Sequence, residues 1–338
     1  MRRGLAGLVL VLATIVAAAC GQTTEVREPD LVISPAGATP ERGEPEPEQD
    51  DGRPRIAVVT HGEAASEFWV RVRNGALAAE RETDVIVNYN SPDEFSETTM
   101  RRLINDAVDS EPDGLVVSLP TDAVYAAVRR AVRKGVPVVS INSGSGDFRK
   151  LGVLAHVGQP EFPAGFGAGQ RMAEAGVRNA LCLNQEPRNV GLQLRCRGFA
   201  RALRAAGGRA EVYRLEADAA NADSRLRATI DERDIDGMLT LGTDGAAVAM
   251  RVGASRPSVK LASFDLSPEI LDALEAKRML FTIDQQPFLQ GYLPVALLGQ
   301  LAKFGLFPAQ GKVIPTGPHF VTPETAGQAE RLSRVQIR

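Results

Sequence analysis

Histidine, cysteine and tryptophan are the scarce residues of this chain, numbering three, three and one among 338. The histidines, His61, His156 and His319, lie far apart, and no His-Glu-x-x-His run presents two imidazoles to a metal from one helix face. No Gly-x-Ser-x-Gly elbow is present to expose a nucleophile. Gly165 to Gly169 falls inside a helical pattern and lacks the full dinucleotide fingerprint, and Gly311-Lys312 is followed by Val313 where a phosphate loop needs Ser or Thr. These absences assemble no nucleophile, base and orienting partner, so the reading is of a non-enzyme with no metal and no cofactor. Basic charge is also short. The formal net charge is −3, and loss of Arg2 and Arg3 with a cleaved leader would take it to −5, which argues against nucleic acid as a partner.

The long apolar run that does occur is at the start. Met1-Arg2-Arg3 leads into Leu8 to Ala17 and then Ala18-Ala19-Cys20, a basic start, an apolar stretch too short to span a bilayer stably, and small residues at the end. That is a secretory signal over residues 1–19. Cys20 after three alanines resembles the lipobox of bacterial lipoproteins, which implies a lipidated thiol and an anchor on the outer face of a membrane; the alternative is an ordinary signal with an incidental Cys. Residues 20–54 carry Pro29, Pro35, Pro40, Pro45, Pro47 and Pro54 among many acidic side chains, a composition that buries too little apolar surface to order itself and reads as a tether.

The remaining stretch of nearly three hundred residues is long enough for two cores. Strand-like apolar runs at 55–60, 85–90, 114–119 and 136–142 alternate with helical patterns, and the alternation restarts at 179–184, 210–215, 237–242, 260–265 and 279–285. Thr121 or Asp122 can cap a helix that ends at Gly135, with Pro137 just beyond. Near-continuous apolar strands separated by helices predict parallel sheets covered on both faces, hence an α/β chain of two doubly wound lobes. Cys182 sits in one strand-like run and Cys196 in the helix after it; they could form a disulfide in an oxidising compartment or remain two buried thiols, and no zinc-type spacing surrounds them.

Ligands of such sheets bind beyond the carboxyl ends of the strands. The residues there are Glu67, Phe68 and Trp69, Asn90-Ser91, Thr121-Asp122 and Asn142-Ser143 in the first series, then Asn184-Gln185, Arg195, Thr243-Asp244, Asp265 and Gln285 in the second. Side chains making several directed hydrogen bonds dominate, beside two adjacent aromatics, which is what a polyhydroxylated ring requires. Trp69, the single Trp, can equally be a core residue of the first helix. Arg195 and Asp265 are expected to face the open cleft; the alternative is an ion pair internal to their lobe.

Over residues 55–325 the sequence resembles the ribose- and galactose-type solute-binding proteins of bacterial ABC sugar importers. Asp113 to Ser118 with Thr121-Asp122, Gly135 to Asn142, Val157-Gly158 with Gly165 and Gly169, Arg195 to Phe199, Leu261 to Asp265 and Phe281 to Pro287 carry the resemblance by their order and spacing. It implies an aromatic clamp at Phe68 and Trp69, polar contacts from Asn142, Arg195 and Thr243, and hydroxyl binding by Asp265 and Gln285. Thr243 stands where many members have Asn, and no second-lobe aromatic is evident between Glu216 and Asn221, so the sugar is left open. The resemblance also implies one lobe of 55–157 plus 286–316, a second of 158–285 plus 317–338, and a three-crossing hinge with the ligand cleft between the lobes. The function implied is a monomeric, lipid-anchored, extracytoplasmic receptor that captures a small sugar or polyol, a monosaccharide or cyclitol, for ABC permease subunits. The alternatives are a receptor that senses a sugar-like signal, or an extracytoplasmic enzyme acting on a sugar.

Overall fold

The computed structural model describes residues 51–333 apart from 63–65, 94 and 218. The expected signal, Cys20 and nearly all of the expected tether lie outside the described residues. Within them, strands and helices alternate almost without exception.

The first sheet holds β1 (Arg55–Val59), β2 (Ile86–Asn90), β3 (Gly114–Ser118), β4 (Val138–Ile141), β5 (Ala155–Gly158) and β11 (Val313–Pro315), in the order β11-β5-β4-β3-β1-β2. The second holds β6 (Asn179–Asn184), β7 (Arg209–Arg214), β8 (Gly237–Thr240), β9 (Lys260–Phe264), β10 (Thr282–Asp284) and β12 (His319–Val321), in the order β12-β10-β9-β8-β6-β7. Every residue of β3 and β4 is buried, because helices cover both faces of the sheet. Apolar clusters accordingly lie on each face of both sheets. All pairs are parallel but one: β12 returns antiparallel against β10, an exception the alternating pattern did not predict. The three short strands β5, β11 and β12 are also additional to the predicted series.

Strand ends fall one or two residues before several predicted boundaries. Thr60, Leu119, Asp265 and Gln285 have left the ladder and form the loops above it. The helix expected from Thr121 or Asp122 begins as a 3₁₀ turn, Asp122–Val124, and continues as α3 (Tyr125–Arg133); Thr121 makes no side-chain cap. Gly135, at φ +83°, ends it in the left-handed region that a side chain rarely adopts.

Two pairs of helices meet at glycines. α1 (Glu67–Thr83) crosses α9 (Pro287–Phe304) in the first lobe, and α4 (Glu161–Glu174) crosses α5 (Val190–Ala205) in the second. A Cβ on Gly165 would stand 2.0 Å from the Arg195 carbonyl oxygen, and one on Gly198 would stand 2.2 Å from that of Phe162. That close approach brings the first turn of α4 against the side chain of Arg195. Three segments pass between the lobes: Gln159–Pro160 after β5, Gln285–Gln286 after β10, and Thr316–Pro318 after β11. They are tied to one another, since the Thr316 N–H donates to the Gly158 carbonyl at 3.3 Å and the Thr316 hydroxyl donates to the Gln285 carbonyl at 2.7 Å.

Candidate functional site

The strand order reverses at β1/β3 in one sheet and at β6/β8 in the other, and the carboxyl ends of these strands face a shared cleft. All seven ligand-binding residues expected from the sequence line this cleft: Phe68, Trp69, Asn142, Arg195, Thr243, Asp265 and Gln285.

The first-lobe wall is aromatic. Trp69 is only 7% exposed and packs in the first-lobe core, and it also borders the cleft. Its ring meets His61 edge-on at 4.8 Å and Phe68 at 5.0 Å between centroids. His61 follows β1 and is fixed by Ser118 at the end of β3, whose hydroxyl lies 2.8 Å from Nδ1 and accepts the His61 backbone N–H at 3.0 Å. Burial pushes the His61 imidazole below its ordinary pKa, with Glu186 opposing, so the ring is neutral at pH 7. Asn142, immediately after β4, takes φ +60° and turns its side chain toward Gln290, whose Oε1 lies 3.4 Å from Nδ2. Asn tolerates this left-handed backbone better than most side chains.

The second-lobe wall is a chain of charged and amide groups. Arg195 is 2% exposed and engages Glu161 bidentately, from Nε to Oε2 at 2.5 Å and from Nη2 to Oε1 at 2.9 Å. It also donates to the Leu241 carbonyl at 3.2 Å and to Gln285 Oε1 at 3.0 Å, and it lies over the Phe264 ring at 4.5 Å. Gln285 passes the connection on, donating from Nε2 to Asp265 Oδ1 at 2.6 Å. Burial opposes the Arg195 charge, but Glu161, with Asp265 and Glu186 adding to it, raises the pKa above its ordinary value. Asp265, at φ +69° just after β9, is pushed up to about 6 by burial, against the lowering effects of Arg195 and the Gln285 hydrogen bond.

This arrangement differs from both sequence expectations for Arg195. The guanidinium does not stand free in the open cleft, and its ion-pair partner is Glu161, with Asp265 reached only through Gln285. The physical reason is the glycine-mediated contact of α4 with α5, which supplies a buried carboxylate that fills the fork of the guanidinium. Glu161 was not singled out from sequence, nor were Glu186 and Asn189, which also line the cleft. Glu67, Asn90 and Asp122 are exposed and do not line it. Cys182 and Cys196 form a disulfide joining β6 to α5.

The lobes meet beside the cleft through the loop that starts α5. The Asn189 side chain caps that helix at the Gly191 N–H and accepts from the Ser143 hydroxyl at 2.9 Å, with its amide nitrogen 3.4 Å from His61 Nε2. The Val190 N–H donates to the Pro120 carbonyl at 3.0 Å, and Arg188 pairs with Glu97 at 2.8 Å.

Comparison with known proteins places this geometry. The sequence profile of the periplasmic binding protein domain matches residues 56–306. A carbohydrate transporter from Acidothermus cellulolyticus 11B, solved in complex with myo-inositol, is 30% identical, covers 85% of this chain and 100% of its own, and superposes with a TM-score of 0.79. The glucose-galactose binding protein GanP of Geobacillus stearothermophilus shares the fold at 23% identity, over 80% of this chain and 98% of its own, with a TM-score of 0.72. The xylose/arabinose-binding protein XylF of Sulfolobus acidocaldarius is 23% identical over 296 residues, 79% of this chain and 71% of that protein.

Proposed function

The chain belongs to the periplasmic binding protein domain family, and from that premise we propose that it is a lipid-anchored extracytoplasmic receptor that captures a monosaccharide or cyclitol between its lobes and delivers it to an ABC permease. It acts as a monomer and binds without turnover. The observation that carries the reading is the convergence of aromatic faces with carboxylate, amide and hydroxyl groups in one interlobe cleft. Ring C–H faces pack on Phe68 and Trp69, while Asp265, Asn142, Gln285 and Thr243 meet the hydroxyls. Arg195 acts through Gln285 and Asp265, which it holds in place. The lobe limits proposed are 55–157 with 286–316 and 158–285 with 317–338, and contact of ligand with both favours the closed form that a permease recognises.

A thermal-shift panel of pentoses, hexoses and inositols against amino acids and nucleosides tests the ligand class, because a ligand of the folded state raises the melting temperature. A shift with the latter two groups alone would defeat the reading. Cys20→Ser tests the anchor: the variant is expected to leave the membrane fraction, and unchanged lipid labelling would refute the assignment.

A further inference from the structure

The crossings between the lobes are packed around buried amides. Gln159 opens the first crossing and Gln285 the second, while Gln290 lies one turn into α9, the helix that carries the chain from the second crossing into the first lobe. Gln159 and Gln290 are fully buried, and Gln285 and Thr316, which opens the third crossing, are nearly so. Polar groups at that depth are kept by their partners, and the partners show what each one holds.

Gln290 uses both arms of its amide. Nε2 donates to the Gln285 carbonyl at 3.1 Å and to the Thr316 hydroxyl at 3.2 Å, and that hydroxyl donates to the same carbonyl at 2.7 Å, so one triangle fastens the second crossing to the third. Oε1 accepts from Asn142 Nδ2 at 3.4 Å. The Asn142 main chain is held separately, by its N–H on the Val157 carbonyl at 3.1 Å, and its Oδ1 accepts from the Ser143 hydroxyl at 3.0 Å. Gln290 therefore fixes the nitrogen end of a side chain that lines the cleft. From Gln285 the path continues to Arg195 and Asp265 in the second-lobe wall. Asn142 after β4 of the first sheet and Asp265 after β9 of the second are thus joined by a buried path through the hinge, with Gln290 at its middle.

Resting on the interlobe receptor reading, we infer that Gln290 is the positioning residue of the hinge: it fastens two crossings to each other and sets the Asn142 amide for the ligand, which couples the angle between the lobes to the geometry of the site. The role calls for an amide. Glutamine supplies donors to the two hinge oxygens and an acceptor to Asn142, without a charge that would lose its hydration there. Leucine fills a similar volume but offers neither arm, and it leaves Asn142 Nδ2 without this partner. Because the path is buried and continuous, loss of its middle is felt at both ends.

The test compares Gln290→Leu and Thr316→Val with the wild type. In the ligand-free protein, hydrogen exchange followed by NMR is expected to quicken about fivefold or more at the Thr316 and Asn142 N–H groups of Gln290→Leu, while the amides of β6 and β8 keep their rates. Calorimetric titration with myo-inositol, D-xylose and D-glucose is expected to show about a fivefold or greater loss of affinity in Gln290→Leu for each sugar that the wild type binds. Combining Gln290→Leu with Asn142→Ala is expected to cost less than the product of the two separate losses, because both lie on one path. Thr316→Val opens the triangle but spares the Asn142 contact, so it is expected to quicken the Thr316 N–H while its loss of affinity multiplies with that of Asn142→Ala. Wild-type exchange at the hinge in folded Gln290→Leu overturns the inference, and so does quickening spread equally over both sheets or a loss that multiplies with Asn142→Ala. Should Gln290→Leu fail to fold, wild-type exchange at the hinge of Thr316→Val overturns it instead. The exchange measurement needs no ligand, so these outcomes leave the receptor reading standing.

Discussion

Arg195 and Glu161 carry the largest single energetic stake in the cleft. Both are essentially buried, at 2% exposure each, and removal of one partner leaves the other as an uncompensated internal charge. Breaking such a pair costs about 3–5 kcal/mol. Arg195→Ala is therefore expected to lower the unfolding free energy of the ligand-free protein by about that amount in urea titration, together with affinity. A loss below about 1 kcal/mol would mean that the pair is not desolvated as described. Asp265 is a different case, because its carboxyl titrates at about 6 and is partly exposed. Its ionised form is the better acceptor for ligand hydroxyls, so affinity for any sugar that binds is expected to rise as pH passes upward through about 6 and to flatten in Asp265→Asn. The sign for stability is opposite. The folded pKa lies above the ordinary value of 3.8, so the contribution to folding is complete below that value and is lost as pH rises through about 6. His156, buried and held down to about 3, favours folding at higher pH and loses its contribution as pH falls below 6.5 toward 3. Because these stability effects oppose each other, the pH dependence of binding, compared between the wild type and Asp265→Asn, is the decisive measurement.

At the level of elements, the disulfide fastens β6 to α5 across 14 positions of sequence. Closing a loop of that size in the unfolded chain is worth about 3 kcal/mol in the chain-entropy account. The paired replacement Cys182→Ala and Cys196→Ala is expected to lower stability by about 2–4 kcal/mol while binding survives, since Glu161, Leu241 and Gln285 still hold Arg195. Loss of binding in a variant that remains folded would show that the bridge positions α5 for ligand. The same elements show what the sequence makes legible. β3 and β4 are continuous apolar runs, and α3 stops at a glycine that needs a left-handed backbone, so local chemistry announces them. β5, β11 and β12 have three or four residues each, too few for a period, and exist because a neighbouring strand offers its edge. Asp265, Gln285 and Asn142 were legible because they follow apolar strands directly. Glu161 was not, because a glutamate in the first turn of a helix ordinarily serves the helix dipole in solvent. Only the approach of α4 to α5 at Gly165 and Gly198 turns it inward, and that contact is tertiary.

For the molecule as a whole, the segment from Glu186 to the first residue of α5 carries contacts from one lobe to the other. From the second lobe it reaches four partners on the first: His61, Ser143, Pro120 and Glu97. Asn189 is its centre, because one side chain caps α5, accepts from Ser143 and lies against His61 and Glu186. The Arg188–Glu97 pair is more exposed, at 73% and 24%, and such pairs contribute at most about 1 kcal/mol. Buried hydrogen bonds contribute about 1 kcal/mol each and leave desolvated partners when broken, so Asn189 outweighs Arg188 as a closure contact. Asn189→Ala is expected to shift the ligand-free ensemble toward open forms, seen as a larger radius of gyration in solution scattering. If only the closed form binds tightly, apparent affinity falls by the fraction of closed molecules lost, about five- to thirtyfold for one or two such bonds. Saturating ligand should then restore the closed radius in the variant, whereas Arg188→Ala should change either readout little. An Asn189→Ala protein with unchanged radius and unchanged affinity would show that this loop follows lobe closure without governing it.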